Sequence, residues 1–289
     1  MAGSILVTGA NGNIGSLLVP VLTGSMNLPV RVLVRDSAKG EPLAAAGADV
    51  RLGEFDDPAS LAASMQGVDI VVLIAPPGPD CVSHNRAVIR AAADSGVRKI
   101  VRVSAIKAAE DGRTENTRLH GACDRLLMES GLTYVILRPN YFMQNIFMSL
   151  DSITQQNGFA AGMGDGRFAM IDVRDVADAT AAAVRSDQFD NQVFELSGPE
   201  SISFYDVARA LSMVADRTIA YIPVSPEDVR ATLLEMGMGV WMANLVMEYS
   251  QAYGDGWGDV VTDSVQQLTG HPPRSFQTFT AELLEAVLR

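Results

Sequence analysis

Lysine, histidine, cysteine and aromatic side chains are all scarce in this chain, and basic charge is outweighed by acidic charge. Two cysteines, Cys81 and Cys123, exclude a disulfide-stapled scaffold, and a 289-residue chain with 48% hydrophobic residues needs no staple to build a core. The three histidines, at 84, 120 and 271, show no metal-ligand spacing. Cys81 and His84 share a helix face without a third ligand, so no metal is expected. Lys and Arg total 22 against 34 Asp and Glu, a formal charge of −12 that repels phosphate backbones and anionic headgroups. Neither nucleic acid nor a membrane surface is an expected partner. The longest apolar run, 68–77, is interrupted by Asp69 and reads as a buried strand rather than a membrane span. No basic segment and apolar signal core follow the opening Met-Ala-Gly-Ser-Ile, so the expected address is the cytoplasm, with both thiols reduced. A Gly-Lys dipeptide and a Gly-x-Ser-x-Gly elbow are both missing, which argues against an ATP loop and a hydrolase nucleophile.

What is present is alternation. Short β-branched runs at 4–8, 30–35, 49–53, 69–75, 99–104 and 133–138 read as strands, separated by helical segments at 14–22, 42–46, 58–65, 80–95 and 117–130. Gly47, Gly67, Gly96 and Gly131 stand where those helices would close. Beyond Arg138 the alternation weakens; 168–184 reads as strand then helix, and 192–197 as one more strand. Asp172 and Asp175 read as caps of that helix. Helices dominate from Gly198 onward, one of them starting at Ser225-Pro226-Glu227-Asp228, where Ser can cap and Pro fits the first turn. The pattern predicts an α/β protein: a Rossmann-type doubly wound parallel sheet with a smaller, mostly helical C-terminal lobe. Residues 1–139 with 168–198 would form the nucleotide-binding domain, and 140–167 with 199–289 the substrate-binding lobe. No linker separates them, and small-molecule pockets favour such junctions.

The most informative stretch is Val7-Thr8-Gly9-Ala10-Asn11-Gly12-Asn13-Ile14-Gly15, a strand running into Gly-x-x-Gly-x-x-Gly and then a helix. Gly9 suits a tight turn, Gly12 lets backbone approach a pyrophosphate, and Gly15 lets helix and strand pack. Asn11, Asn13 and Ile14 complete the loop. The second strand ends in Arg35, where an arginine accepts a 2′-phosphate, so NADP rather than NAD is expected; Asp36 follows and could instead take the ribose of NAD.

These segments, with Val32-Leu33-Val34-Arg35-Asp36, Gly53-Glu54-Phe55-Asp56-Asp57-Pro58, Gly131–Pro139, Ile171–Ala177 and Leu196–Glu200, resemble the NmrA-like branch of the atypical short-chain dehydrogenase/reductases. The similarity extends to about Ala210, and in style it is to bacterial NADPH-dependent quinone and triphenylmethane-dye reductases. It implies NADP on the glycine loop, Phe55 and Asp56 near the adenine, Ala75 and Pro76 on the path to the nicotinamide, and substrate bordered by 140–145. Ser104 resembles the serine position of the wider superfamily. His120 stands where related reductases carry a lysine, and the resemblance points it toward the nicotinamide end.

The Tyr-x-x-x-Lys pair of typical short-chain reductases is excluded outright, because the residues four before Lys39, Lys99 and Lys107 are Arg35, Ser95 and Val103. His120 is then the candidate proton donor or ribose anchor. Tyr141, Phe142, Met143, Met163 and Trp241 are apolar candidates for the substrate pocket, and Gly237 and Gly239 would make 236–242 a mobile lid. An acceptor that takes hydride without strong protonation fits the missing tyrosine: a quinone, iminium, dye or conjugated C=C, reduced by NADPH. Two other readings stay open, an NADP-binding redox-sensing regulator without turnover and a non-redox isomerase or cyclase using His120. The sequence is compatible with a homo-oligomer without indicating one.

Overall fold

The computed structural model describes residues 3–288. Seven strands form one sheet: β1 (Ser4–Val7), β2 (Val30–Val34), β3 (Asp49–Leu52), β4 (Val68–Leu73), β5 (Lys99–Val103), β6 (Thr133–Pro139) and β7 (Gln192–Leu196), in the order β3-β2-β1-β4-β5-β6-β7. The pairings among the first six are parallel. Strand order reverses between β1 and β4, the switch point at which open α/β sheets bind ligands outside the carboxyl ends of their strands. This is the doubly wound fold expected from the alternation.

Between the strands run α1 (Gly15–Pro20), α2 (Ser37–Ala45), α3 (Pro58–Met65), α4 (Cys81–Asp94), α5 (Glu115–Met128) and, before β7, α6 (Val173–Arg185). One sheet face carries Leu6, Leu33, Val71, Leu73, Ile100 and Ile136, the two from β4 spaced by two, and they pack with Leu61 and Met65 of α3, Val88 and Ile89 of α4 and Leu127 of α5. The closing glycines behave as read: Gly47, Gly67, Gly96 and Gly131 have φ of +92, +71, +75 and +79°. Two helices differ from expectation. Pro20 has no N–H to continue the α-helical ladder, and the chain continues as a π-turn over Val21–Ser25. α2 starts at Ser37, not 42, because the Asp36 carboxylate caps it through the Ala38 N–H (2.9 Å), while Gly40 and Pro42 mask the helical pattern. Gly40 is required by packing, since a Cβ there would lie 2.6 Å from Val50 Cγ1.

The chain divides into two compact units: a first, up to Gly112 with Thr117–Arg138 and Val176–Glu195, and a second made of Arg113–Asn116, Pro139–Asp175 and everything from Leu196. The second is not purely helical. Gly158–Ala161 pairs in parallel with Ala220–Pro223, and Arg167–Phe168 antiparallel with Ile202–Ser203. Its core is aromatic: Phe159, Phe168, Phe204, Tyr221, Tyr253, Phe276 and Phe279 are all buried. Among its helices that start on side-chain caps are Phe204–Ala215, with a Ser203/Asp206 capping box, and, as read, Pro226–Glu235, with Ser225. Gly237 (φ +82°) turns the chain between Pro226–Glu235 and Val240–Gly254. Of the two aspartates expected to cap α6, Asp172 does so, accepting the Arg174 N–H at 2.8 Å, whereas Asp175 receives the Arg274 N–H at 2.7 Å. Among the described residues no helix is long and apolar enough to cross a membrane.

Candidate functional site

The carboxyl ends of β1 and β4 are fastened by one side chain. Thr8 Oγ1 donates to the Ile74 carbonyl (2.9 Å) and accepts the Ile74 N–H (3.0 Å). From that anchor the backbone turns at Gly9, whose φ is +62° and where a Cβ would meet Ile74 O at 2.7 Å. The Gly12 N–H closes the turn on Gly9 O (3.0 Å). Gly15 lies against the strand end so closely that a Cβ would sit 2.5 Å from Ala10 Cα, while Asn11, Gly12 and Asn13 are exposed and Ile14 is buried beneath them. Only Gly9 O, at 3.3 Å, would meet a Cβ on Gly12, so the outer side of the loop at that position is bare backbone at the start of α1. Such a cradle fits a pyrophosphate.

The remaining first-unit candidates follow successive strand ends on the same sheet edge. After β2, Arg35 is exposed, and among the described residues it forms no ion pair; Asp36 is occupied as the α2 cap. That division of labour fits a 2′-phosphate on Arg35 and argues against a ribose on Asp36. After β3, Phe55 and Asp56 meet His84 of α4, ring centroids 5.3 Å apart for Phe55 and 3.4 Å from His84 Nε2 to the Asp56 carboxylate. His84 therefore pairs with Asp56, not with Cys81. After β4, Ala75 is half-buried and Pro76 exposed.

After β5 comes the largest departure from the apolar pattern. Arg102 projects from the Ile100 face of β5 and is 1% exposed. Its Nε–H donates to Asn85 Oδ1 of α4 (2.8 Å), one Nη forms an ion pair with Asp124 of α5, and the other donates to His120 Nδ1 (3.1 Å). Asp124 also accepts from Ser104 Oγ (3.0 Å) and Arg138 Nε (2.9 Å). Ser104 is thus a buried ligand of a carboxylate. Because a guanidinium only donates, His120 Nδ1 must accept, which leaves the ring proton on Nε2. Burial, with the charges of Arg102 and Arg138 beside it, holds the His120 pKa well below the ordinary imidazole value. The ring is a neutral hydrogen-bond donor, not an imidazolium.

A family model described as NAD(P)H-binding matches residues 9–187, from the first glycine of the cradle to the end of α6. The chain belongs to the NAD(P)H-binding family. Within it the protein falls, as the motifs imply, in the NmrA-like branch of the atypical short-chain reductases. It is 35% identical to the NAD(P)H azoreductase of Xenophilus azovorans over 276 residues, 95% of this chain and 96% of that one. Another relative, 31% identical across 98% of both chains, is the (4-alkanoyl-5-oxo-2,5-dihydrofuran-3-yl)methyl phosphate reductase of Streptomyces griseus. The solved NADPH-dependent quinone oxidoreductase of Escherichia coli, in complex with NADPH, superposes with a TM-score of 0.88 at 26% identity, covering 96% of this chain and 99% of that one.

The second unit of this NAD(P)H-binding protein holds the residues expected to border substrate. Tyr141 packs edge-on against Phe168, Phe204 and Tyr253, and burial pushes its hydroxyl up to about 12. Phe142 bridges to Ile171, and Met143 and Met163 are buried members of the aromatic core. Trp241 donates from Nε1 to Glu115 (2.9 Å), and Trp257 packs on Tyr249 and Tyr253. The sequence reading missed Thr8, Asn85, Arg102, Asp124 and Arg138 as parts of the site. One signal was visible: an arginine inside the apolar strand Ile100-Val101-Arg102-Val103. Among the described residues no three His, Cys, Asp or Glu side chains gather as a metal would require.

Proposed function

We propose that the protein is an NADPH-dependent reductase whose substrate is an activated, fairly apolar acceptor, such as an azo compound, a quinone, an iminium ion or a conjugated C=C bond. The observation that carries this reading is the neutral His120, fixed as an Nε2–H donor by Arg102. NADPH, when bound, supplies the hydride. The glycine loop would hold the pyrophosphate, Arg35 the 2′-phosphate and Phe55 the adenine side. His120 would polarise the acceptor or hold the nicotinamide ribose by a hydrogen bond from Nε2–H, and near neutral pH a neutral imidazole gives a developing alkoxide weaker general-acid help than an imidazolium would. An acceptor that spreads its incoming charge is therefore suited to the site, and a simple ketone is not. The azo, quinone and conjugated-lactone chemistry in the names of the relatives supports the same class.

The test is NADPH consumption with three acceptors in parallel: an azo dye, a quinone and an unactivated aliphatic ketone. Turnover of the first two and not of the third is expected. Rapid ketone reduction would overturn the role given to His120. Tight NADPH binding with no turnover of any acceptor would favour the sensing regulator instead.

A further inference from the structure

The only two cysteines of the chain, 42 positions apart in sequence, are brought into contact. Cys81 opens α4, Cys123 lies on α5, and their sulfurs are 3.8 Å apart, both reduced and buried. Cys81 is linked through Asn85 to the arginine that fixes His120. Asn85, one turn after Cys81, donates to the Cys81 carbonyl (2.8 Å) and sulfur (3.6 Å) while accepting from Arg102 Nε. Cys123 is one turn after His120 on α5, and its sulfur also lies 3.6 Å from the Cys81 carbonyl oxygen. What precedes Cys81 is not the sheet but the loop 76–80, in which Pro76, Pro77, Pro79 and Asp80 are exposed.

We propose that Cys81 and Cys123 form a peroxide-sensitive dithiol, and that its closure to a disulfide disturbs the Asn85–Arg102–His120 chain. Cys81 is the attacking sulfur: the hydrogen bond from Cys123, helped by the charge of Arg102, brings its thiol down to about 7 against the effect of burial, whereas Cys123 is pushed up. The Cys81 thiolate attacks one oxygen of hydrogen peroxide; an S–O bond forms, the O–O bond breaks, and hydroxide leaves, taking a proton to become water. Cys123, losing its proton, attacks the resulting sulfenic sulfur; the S–S bond forms, the S–O bond breaks, and a second water leaves. Two thiols lose two electrons and the peroxide gains them. Closure shortens the sulfur separation by about 1.8 Å, to the bonded distance, and so draws the first turn of α4 toward α5.

The decisive experiment is mass spectrometry of the whole protein, treated with peroxide and then alkylated under denaturing, non-reducing conditions. The expected result is a Cys81–Cys123 linked peptide pair within one chain, lacking two hydrogens and reopened by dithiothreitol. In Cys123→Ser, dimedone should label Cys81. Two alkylated thiols, a sulfinic acid on Cys81 beside a free Cys123, or links only between chains would each overturn the proposal. None of these readouts depends on the reductase reading. Oxidised wild type should then lose kcat on the order of tenfold while NADPH affinity, read by titration, is kept. An intact kcat in the disulfide form would overturn the coupling to His120.

Discussion

Arg102 is a cation built into an apolar strand face, and its partners set what the neighbouring imidazole can do. Removing the charge of Asp124 leaves that guanidinium buried and uncompensated, so Asp124→Asn should cost about 3–5 kcal/mol in urea unfolding. His120 carries a pH signature. Its folded pKa lies well below the unfolded value of about 6.5, so below that pH the unfolded chain binds more protons and stability falls as the solution is acidified. On acidification from about pH 7.5 to about pH 5.5 the wild type should therefore lose more stability in urea unfolding than His120→Gln does. The kcat/KM profile should show no titration of this group in the same range. At Arg35, replacement by alanine removes a charge-assisted contact worth roughly 1.5–3 kcal/mol, so the Kd for NADPH should rise on the order of tenfold to a hundredfold with that for NADH little changed. An unchanged ratio would reject the 2′-phosphate assignment.

At the scale of elements, the loop between β1 and α1 works because three glycines meet three different constraints. Gly15→Ala would force α1 away from Ala10, so NADPH binding should be lost, while Ser203→Ala, in a cap of the second unit, should cost about 1 kcal/mol in stability and leave NADPH binding intact. The strands were legible because a parallel sheet buried on both faces demands apolar runs such as Ile70–Leu73, which local pattern displays directly. α2 was half hidden, because its start rests on one carboxylate and its pattern is broken by Gly40 and Pro42. The setting of His120 was not legible. Its partners come from β5, α4 and β6, and nothing in the sequence near 120 says that Arg102, Asn85 and Arg138 converge there. The aromatic core of the second unit was obscured for the same reason: Tyr141, Phe168, Phe204 and Tyr253 are far apart along the chain, and Met143 and Met163, taken as pocket candidates, lie buried in that core.

For the molecule as a whole, a charge of −12 acts on every encounter. Sulfonated azo acceptors should react with a kcat/KM that rises with ionic strength as repulsion is screened, and cationic dyes with one that falls. The same slope for both would mean that the net charge does not govern encounter. The placement of the indoles has a use of its own. Both tryptophans of the chain, Trp241 and Trp257, belong to the second unit, so tryptophan emission, excited selectively over tyrosine, reports on that unit and not directly on the sheet that carries the glycine loop. Far-ultraviolet circular dichroism sees both units. Coincident midpoints from the two probes would mark a single cooperative transition, and separated midpoints would give each unit its own melting curve from an unlabelled sample.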